Sequence, residues 1–143
     1  MYLQKEDNKL NIAMNLRIPV NTSLNSIIEI FKNKFADFNV EVMSSMEPLY
    51  IDKNNKLVTT LCDIFNEEYK TYTNYNNISN TYYDPIAIGG ATYARAFNNC
   101  VSFGMNFPGD EDMCHKVDEF IEIDKLILAT NIYAKAIYEL FNL

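Results

Sequence analysis

The N-terminal part of the chain alternates between strand and helix periodicity, and this alternation constrains the fold most strongly. Residues 10–18 place an apolar side chain at every second position, which is typical of a strand with one buried face. Pro19 closes this pattern, and residues 24–35 then carry apolar side chains at helical spacing. Alternation returns over residues 38–42. The sequence therefore predicts a β-α-β unit, which needs further strands because a helix on two strands is only marginally stable.

The remainder of the chain continues this alternation. We expect, in order, helix 56–69, strand 86–88, helix 92–97, strand 101–105 and helix 124–141. The polar residues 71–85, rich in Asn and Tyr, predict a long loop. The inner face of the last helix is expected to comprise Leu126, Ala129, Tyr133, Ala136, Ile137 and Leu140. Strands that alternate with helices favour an α/β fold with parallel strand pairing.

Composition narrows the class of protein. With 143 residues, 48% of them hydrophobic, the chain is long enough to bury a core. Its net charge of −7 argues against nucleic acid as a partner, because binding phosphates requires clustered Lys and Arg. No apolar run approaches the roughly 20 residues that span a bilayer, and the N-terminus lacks the apolar centre of a signal peptide. Three widely spaced cysteines predict reduced thiols, so we expect a cytoplasmic protein with no membrane partner.

His115 is the one histidine of the chain, and it follows a strand pattern and an acidic loop. Neutral imidazole is the commonest metal ligand, and zinc binds it at roughly 2.0–2.1 Å. The alternative interpretation is a solvated histidine in a polar loop, because one ligand does not make a metal site. Cys114 is a poor second ligand, since adjacent side chains seldom converge on one ion.

Two further features could bind an anion. Gly89 and Gly90 open a short helix, whose free backbone N–H groups could hold a carboxylate or a phosphate; the alternative is a tight turn that needs glycine for positive φ. Arg17, on the polar face of the first strand, could bind a carboxylate through two parallel hydrogen bonds or could be a solvated surface residue. Glu67 and Glu68 suggest a general base and a ligand, but their position on a helix before a polar loop favours a solvated face.

Three long segments carry a resemblance to a known family: IAIGGATYARAF, VSFGMNFPGDEDMCHKVDEFIEIDKL and ATNIYAKAIYEL. They resemble the C-terminal end of peptidase V-like dipeptidases, which belong to the family of zinc-dependent aminoacylases, carboxypeptidases and dipeptidases. LNIAMNLRIPV and PLYIDKNNKLVTTL resemble the same family more loosely. The resemblance implies an α/β catalytic domain with two zinc ions and an inserted ferredoxin-like lid. Residues 1–47 would be the second, β-α-β half of the lid, and residues 48–143 the C-terminal portion of the catalytic domain.

The resemblance also implies a function and a set of site residues. Members of the family hydrolyse dipeptides or short peptides by attack of metal-bound water, with a glutamate as general base. His115 matches the histidine that completes the zinc site. Glu119 matches the acidic residue shortly after that histidine, which would position the ligand or the surrounding structure without binding the metal. Substrate binding is expected at Arg17, Gly89, Gly90 and Thr92. Tyr93 and Arg95 would line the same site.

The departures from the family pattern concern the remaining metal ligands. The family's His-x-Asp pair, bridging aspartate and Glu-Glu pair have no counterpart here, so we expect no catalytic residue in this chain and no tight zinc binding by it alone. The resemblance therefore implies a fragment, a truncated gene product or half of a split enzyme, inactive alone, with the missing N-terminal half or a second copy as partner. The alternative is a non-catalytic interaction or assembly module on the same scaffold.

Overall fold

The computed structural model describes residues 2–6, 9–79 and 81–143 and has a small α/β fold. Its strands and helices are β1 (Tyr2–Glu6), β2 (Lys9–Ala13), α1 (Leu24–Lys34), α2 (Lys56–Tyr75), a 3₁₀ helix (Tyr93–Ala96) and α3 (Ile123–Phe141). The chain divides into two compact units, Met1–Tyr50 and Ile51–Leu143. Their assignment to a lid and a catalytic domain stays a prediction.

The first unit begins with an antiparallel hairpin. β1 pairs with β2 in a register that places Tyr2 opposite Ala13 and Leu3 opposite Ile12. The predicted strand over residues 10–18 is therefore too long, since the described part of β1 offers no partner beyond Ala13. The predicted strand over residues 38–42 is also wrong, because those residues have no neighbouring strand with which to exchange backbone hydrogen bonds.

The observed order of the first unit is thus two strands followed by α1, and not the predicted β-α-β. The helix forms where the periodicity places it, and the Ser23 backbone is extended at its N-terminal end. None of its residues is fully buried. The Phe31 ring at its C-terminal end contacts Phe35, which in turn contacts Phe38 beyond the helix.

The core of the second unit lies between α2 and α3. Its buried residues are Leu61, Ile64, Tyr69, Phe107, Leu128, Ala129, Ile132 and Ala136. α3 spans the predicted residues, but its expected inner face is partly wrong: Leu126 and Ile137 are 45% and 71% exposed, while Leu128 and Ile132 are buried. α3 therefore carries apolar residues on two sides, and packing against α2 selects one of them.

α2 is longer than predicted, because the polar stretch that follows residue 69 continues the helix to Tyr75. The Asn55 side chain begins the helix by accepting the Leu57 backbone N–H at 2.9 Å. Near its end, Thr73 is completely buried and donates its hydroxyl to the Lys70 carbonyl at 3.0 Å. A residue that reads as loop from its polarity is thus compatible with a helix when its hydroxyl bonds to the preceding turn.

Residues 101–105 pack against the helices without forming a strand. Val101 and Phe103 lie half-buried against the core, and the Tyr133 hydroxyl donates to the Phe103 carbonyl at 3.1 Å. Residues 86–88 likewise form no strand, and Ile86 is 86% exposed. Both predicted strands and their parallel pairing are wrong for the described residues, where the one sheet is the antiparallel hairpin. The alternating side chains are present, but no neighbouring strand is.

Candidate functional site

The residues singled out by the sequence are distributed over both units. Arg17 lies in the first unit, beyond the end of β2, and its side chain is exposed. It makes no hydrogen bond or ion pair with any described residue. The other predicted site residues, Gly89, Gly90, Thr92, His115 and Glu119, all lie in the second unit.

His115 occupies an exposed turn with an unusual backbone conformation. Its φ of 63° lies in the left-handed region, which a residue with a side chain occupies only at a local energetic cost. The Glu119 carboxylate holds this turn by accepting the His115 backbone N–H at 3.3 Å. The imidazole makes no hydrogen bond with any part of the chain that the structure describes. The His115 side chain is exposed.

A second carboxylate organises the residues that precede His115. Asp112 accepts the Cys114 backbone N–H at 3.1 Å. Hydrogen bonds from Cys114 favour the charged form of this carboxyl and lower its pKa below the usual range. Beside it, Lys116 forms an exposed ion pair with Glu111 at 2.8 Å. Asp112 thus accepts a hydrogen bond from the loop's own backbone, and Glu111 pairs with a neighbouring lysine.

The base of the loop is anchored in the core. Phe107 is 5% exposed, and the Tyr69 hydroxyl donates to the Pro108 carbonyl at 3.2 Å. Gly109 has a φ of 88°, a conformation that favours glycine. Asp110 then pairs with Lys125 of α3 and accepts the Phe107 backbone N–H at 3.3 Å. The loop is therefore fixed at its root to both helices while its tip remains exposed.

Sequence reasoning missed this anchor. The signal that could have found it is the Phe-Pro-Gly-Asp run, in which a buried aromatic, a turn and a carboxylate follow one another. Lys125, which pairs with Asp110, lies in the first turn of a predicted helix, and residue spacing does not predict its partner. The hydrogen bonds that Lys125 donates to Asp110 and Glu122 raise the pKa of Lys125 and offset the effect of its partial desolvation.

The Gly89–Gly90 turn leads into a 3₁₀ helix of four residues, Tyr93–Ala96. Gly90 does not have a positive φ, and a Cβ built there would meet Ile88 Cδ1 at an ordinary contact distance of 3.8 Å. Neither the backbone nor the packing of the described residues requires glycine at position 90. Thr92 accepts a hydrogen bond from the Ser102 hydroxyl at 2.8 Å, which joins the turn to residues 101–105. Anion binding at this turn stays a prediction.

The described residues do not make up a metal site. No group of three or more His, Cys, Asp or Glu residues among them is arranged to hold an ion. Glu67 and Glu68 pair with Lys135 of α3 at 2.7 and 3.1 Å. These two carboxylates therefore join α2 to α3. Zinc binding by His115 stays a prediction.

Two open pockets lie away from all of these residues. One, of about 430 Å³, is lined by residues around the start of α1, and the other, of about 200 Å³, is lined by residues that include Cys62 and Tyr82. Neither pocket contains a predicted site residue. Within the described ranges, no helix has the length and apolar character needed to cross a membrane.

Comparison with known proteins gives matches to proteins named as putative dipeptidases. A Staphylococcus epidermidis protein named "Putative dipeptidase" is 36% identical over 130 residues, which is 90% of this chain and 26% of that protein. "Putative dipeptidase YtjP" of Bacillus subtilis is 34% identical over 136 residues, 95% of this chain and 27% of that protein. A Staphylococcus aureus protein, also named as a putative dipeptidase, is 35% identical over 130 residues.

No family model matches the chain, and no solved structure matches it. The chain spans about a quarter of the length of the curated relatives it matches. The matches cover nearly the whole of the present sequence and therefore include both compact units.

Proposed function

We propose that this chain is one part of a cytoplasmic zinc dipeptidase and supplies a single metal ligand, His115. The observation that carries the proposal is the identity of 34–36% with proteins named as putative dipeptidases, over at least 90% of this chain. Because the match covers about a quarter of each relative, the other metal ligands and the general base would come from polypeptide outside the matched segment.

The geometry of the histidine turn supports this role. A ligand must present an unprotonated ring nitrogen whose lone pair is free, and the exposed imidazole of His115 forms no hydrogen bond with the described residues. Glu119 positions the ligand through its backbone, since its carboxylate accepts the His115 N–H. The loop root fixed by Asp110 would hold the turn at a constant place relative to α3.

Arg17, Gly89, Gly90 and Thr92 would position the peptide. Arg17 is exposed and has no hydrogen-bonding partner among the described residues, so its guanidinium is available to fork the substrate's C-terminal carboxylate. A glycine at position 90, which neither φ nor packing explains, leaves room for close approach of a peptide backbone. The first unit would be part of the lid, and the second part of the catalytic domain.

The test compares the 143-residue chain with a chimera in which it replaces the 136-residue matching segment of the Bacillus subtilis relative. With zinc added, the chimera should hydrolyse dipeptides and the chain alone should not. Turnover by the chain alone would contradict the proposed division of ligands. A folded chimera that binds zinc but hydrolyses no dipeptide would instead favour an interaction or assembly module, for which the exposed apolar surface is the supporting observation.

A further inference from the structure

α3 is apolar on two opposite sides. The side toward α2 supplies Leu128, Ala129, Ile132 and Ala136 to the core. The opposite side, which we call the free face of α3, consists of Ile123, Ile127, Ala134, Ile137 and Phe141. Its large side chains are 75%, 55%, 71% and 90% exposed, in chain order. An apolar side of a helix is normally buried against another element, and among the described residues α3 is covered on one of its two apolar sides.

The free face forms one continuous stripe along the helix. At about 100° per residue its members fall within an arc of about 80°, and at about 1.5 Å per residue they extend over about 27 Å. Thr130 is the one polar residue inside this arc of α3, all of which is described. Its hydroxyl donates to the Leu126 carbonyl at 2.8 Å, so it needs no external partner. The stripe is therefore suited to an apolar surface and offers no charge to a nucleic acid or an acidic peptide.

A second segment of the same unit also lacks the neighbours that its pattern calls for. Residues 101–106 form no helix or strand, and Val101 and Phe103 pack, partly buried, against the core. Their backbone N–H groups donate no hydrogen bond to any residue in the described ranges. The backbone N–H group of a residue that packs against a core normally has a hydrogen-bond partner. Both observations indicate that further polypeptide covers this part of the second unit.

The relatives are much longer than the matched segment, and this difference in length points to what covers the free face of α3. The matched segment is 26–27% of each relative, so the polypeptide outside it is about three times as long as the segment itself. We propose that the free face of α3 is a docking surface for the three quarters of a dipeptidase polypeptide that lie outside the matched segment. This inference rests on the proposed function, since it assumes that such polypeptide accompanies the chain.

The experiment places Ile137→Lys in two settings, the 143-residue chain alone and the chimera with the Bacillus subtilis relative. In the chain alone, thermal unfolding should be unchanged, because Ile137 is 71% exposed and a lysine there stays in water. In the chimera, the unfolding midpoint should fall by several degrees, because the lysine is buried against an apolar partner. Asn131→Lys, six residues earlier at an exposed position outside both apolar sides of α3, introduces the same side chain and should be neutral in both settings.

Hydrogen exchange gives a second readout that needs no variant. The α3 amides should exchange more slowly in the chimera than in the chain alone, by at least tenfold near Ile137. Equal exchange in both settings, or an Ile137→Lys chimera as stable as its parent, would overturn the proposal. So would a chain that sediments as a dimer and is made monomeric by Ile137→Lys, since the face would then bind a second copy. Dipeptide hydrolysis is scored separately, so a protected α3 in an inactive chimera contradicts only the proposed function.

Discussion

Ile132 and Ile137 provide a matched test of how α3 packs, because the same residue type occurs five positions apart on opposite sides of one helix. Ile132 is 3% exposed and Ile137 is 71% exposed. Replacing either by alanine removes three carbon groups, worth about 0.8 kcal/mol each when fully buried. At Ile132 this amounts to about 2.4 kcal/mol, and the cavity left between the helices brings the expected loss to about 2–5 kcal/mol.

At Ile137 the expected loss is much smaller. Less than a third of the residue is shielded from water, so the transfer contribution falls to about 0.7 kcal/mol. Alanine is also the better helix former by a few tenths of a kcal/mol, which offsets part of that loss. We therefore expect Ile137→Ala to change the free energy of unfolding of the chain alone by less than about 0.7 kcal/mol.

Urea unfolding followed by circular dichroism measures both variants. With a slope of about 1–3 kcal/mol per molar urea, Ile132→Ala should lower the midpoint by about 1 M or more, with the slope unchanged. Ile137→Ala should leave the midpoint almost where it is. Equal losses for the two variants, or a larger loss at Ile137, would refute the assignment of the inner and outer sides of α3.

Three further predictions concern side chains that hold loops in place. Asn66→Ala should lower the free energy of unfolding in urea by about 1–3 kcal/mol, because it removes two hydrogen bonds, of 2.7 and 2.9 Å, between the Asn66 side chain and the Tyr83 backbone. The Cys114 amide resonance should titrate with a midpoint below the pKa of an unpaired aspartate, since the Asp112 pKa is lowered; this stabilisation is present above the unfolded-state pKa and is lost as the pH falls through the folded-state pKa. Glu119→Ala should speed hydrogen exchange of the His115 amide, because its acceptor is lost.

Each of these has a control and a contradicting outcome. Asn76→Ala removes only a local bond at the end of α2 and should cost less than Asn66→Ala; equal costs would contradict the role of Asn66. Asp112→Asn should abolish the acid titration of the Cys114 amide, and a titration that persists would assign it to another group. Glu111→Ala, which removes an exposed ion pair from the same loop, should leave the His115 amide exchange unchanged.

Helices were predictable here because their signal is local. The apolar spacing of residues 24–35 and 124–141 identifies α1 and α3 to within a residue or so at each end. Which side of α3 faces inward was not predictable, because both sides are apolar and only contact with α2 distinguishes Ile132 from Ile137. Strands depend on partners that are distant in sequence, so residues 101–105 carry a strand pattern without forming a strand.

The candidate site was predictable only in part, for the same reason. The resemblance singled out His115 and Glu119, and the structure joins them through a backbone hydrogen bond that no residue pattern specifies. The ion pair of Asp110 with Lys125 joins residues fifteen positions apart and depends on the packing of the loop against α3. Metal binding by His115 and substrate binding by Arg17 remain predictions, since they require ligands and substrate from outside the described residues.

The central claim is that His115 is a zinc ligand in a site completed by other polypeptide. The most direct test is zinc-dependent dipeptide hydrolysis by the chimera carrying His115→Ala, with tightly bound zinc counted in the same samples. Lys116→Ala, a change in the adjacent exposed residue, is the matched control. We expect His115→Ala to lower both hydrolysis and bound zinc, and Lys116→Ala to retain both. A His115→Ala chimera that keeps its full activity and its full zinc content would contradict it.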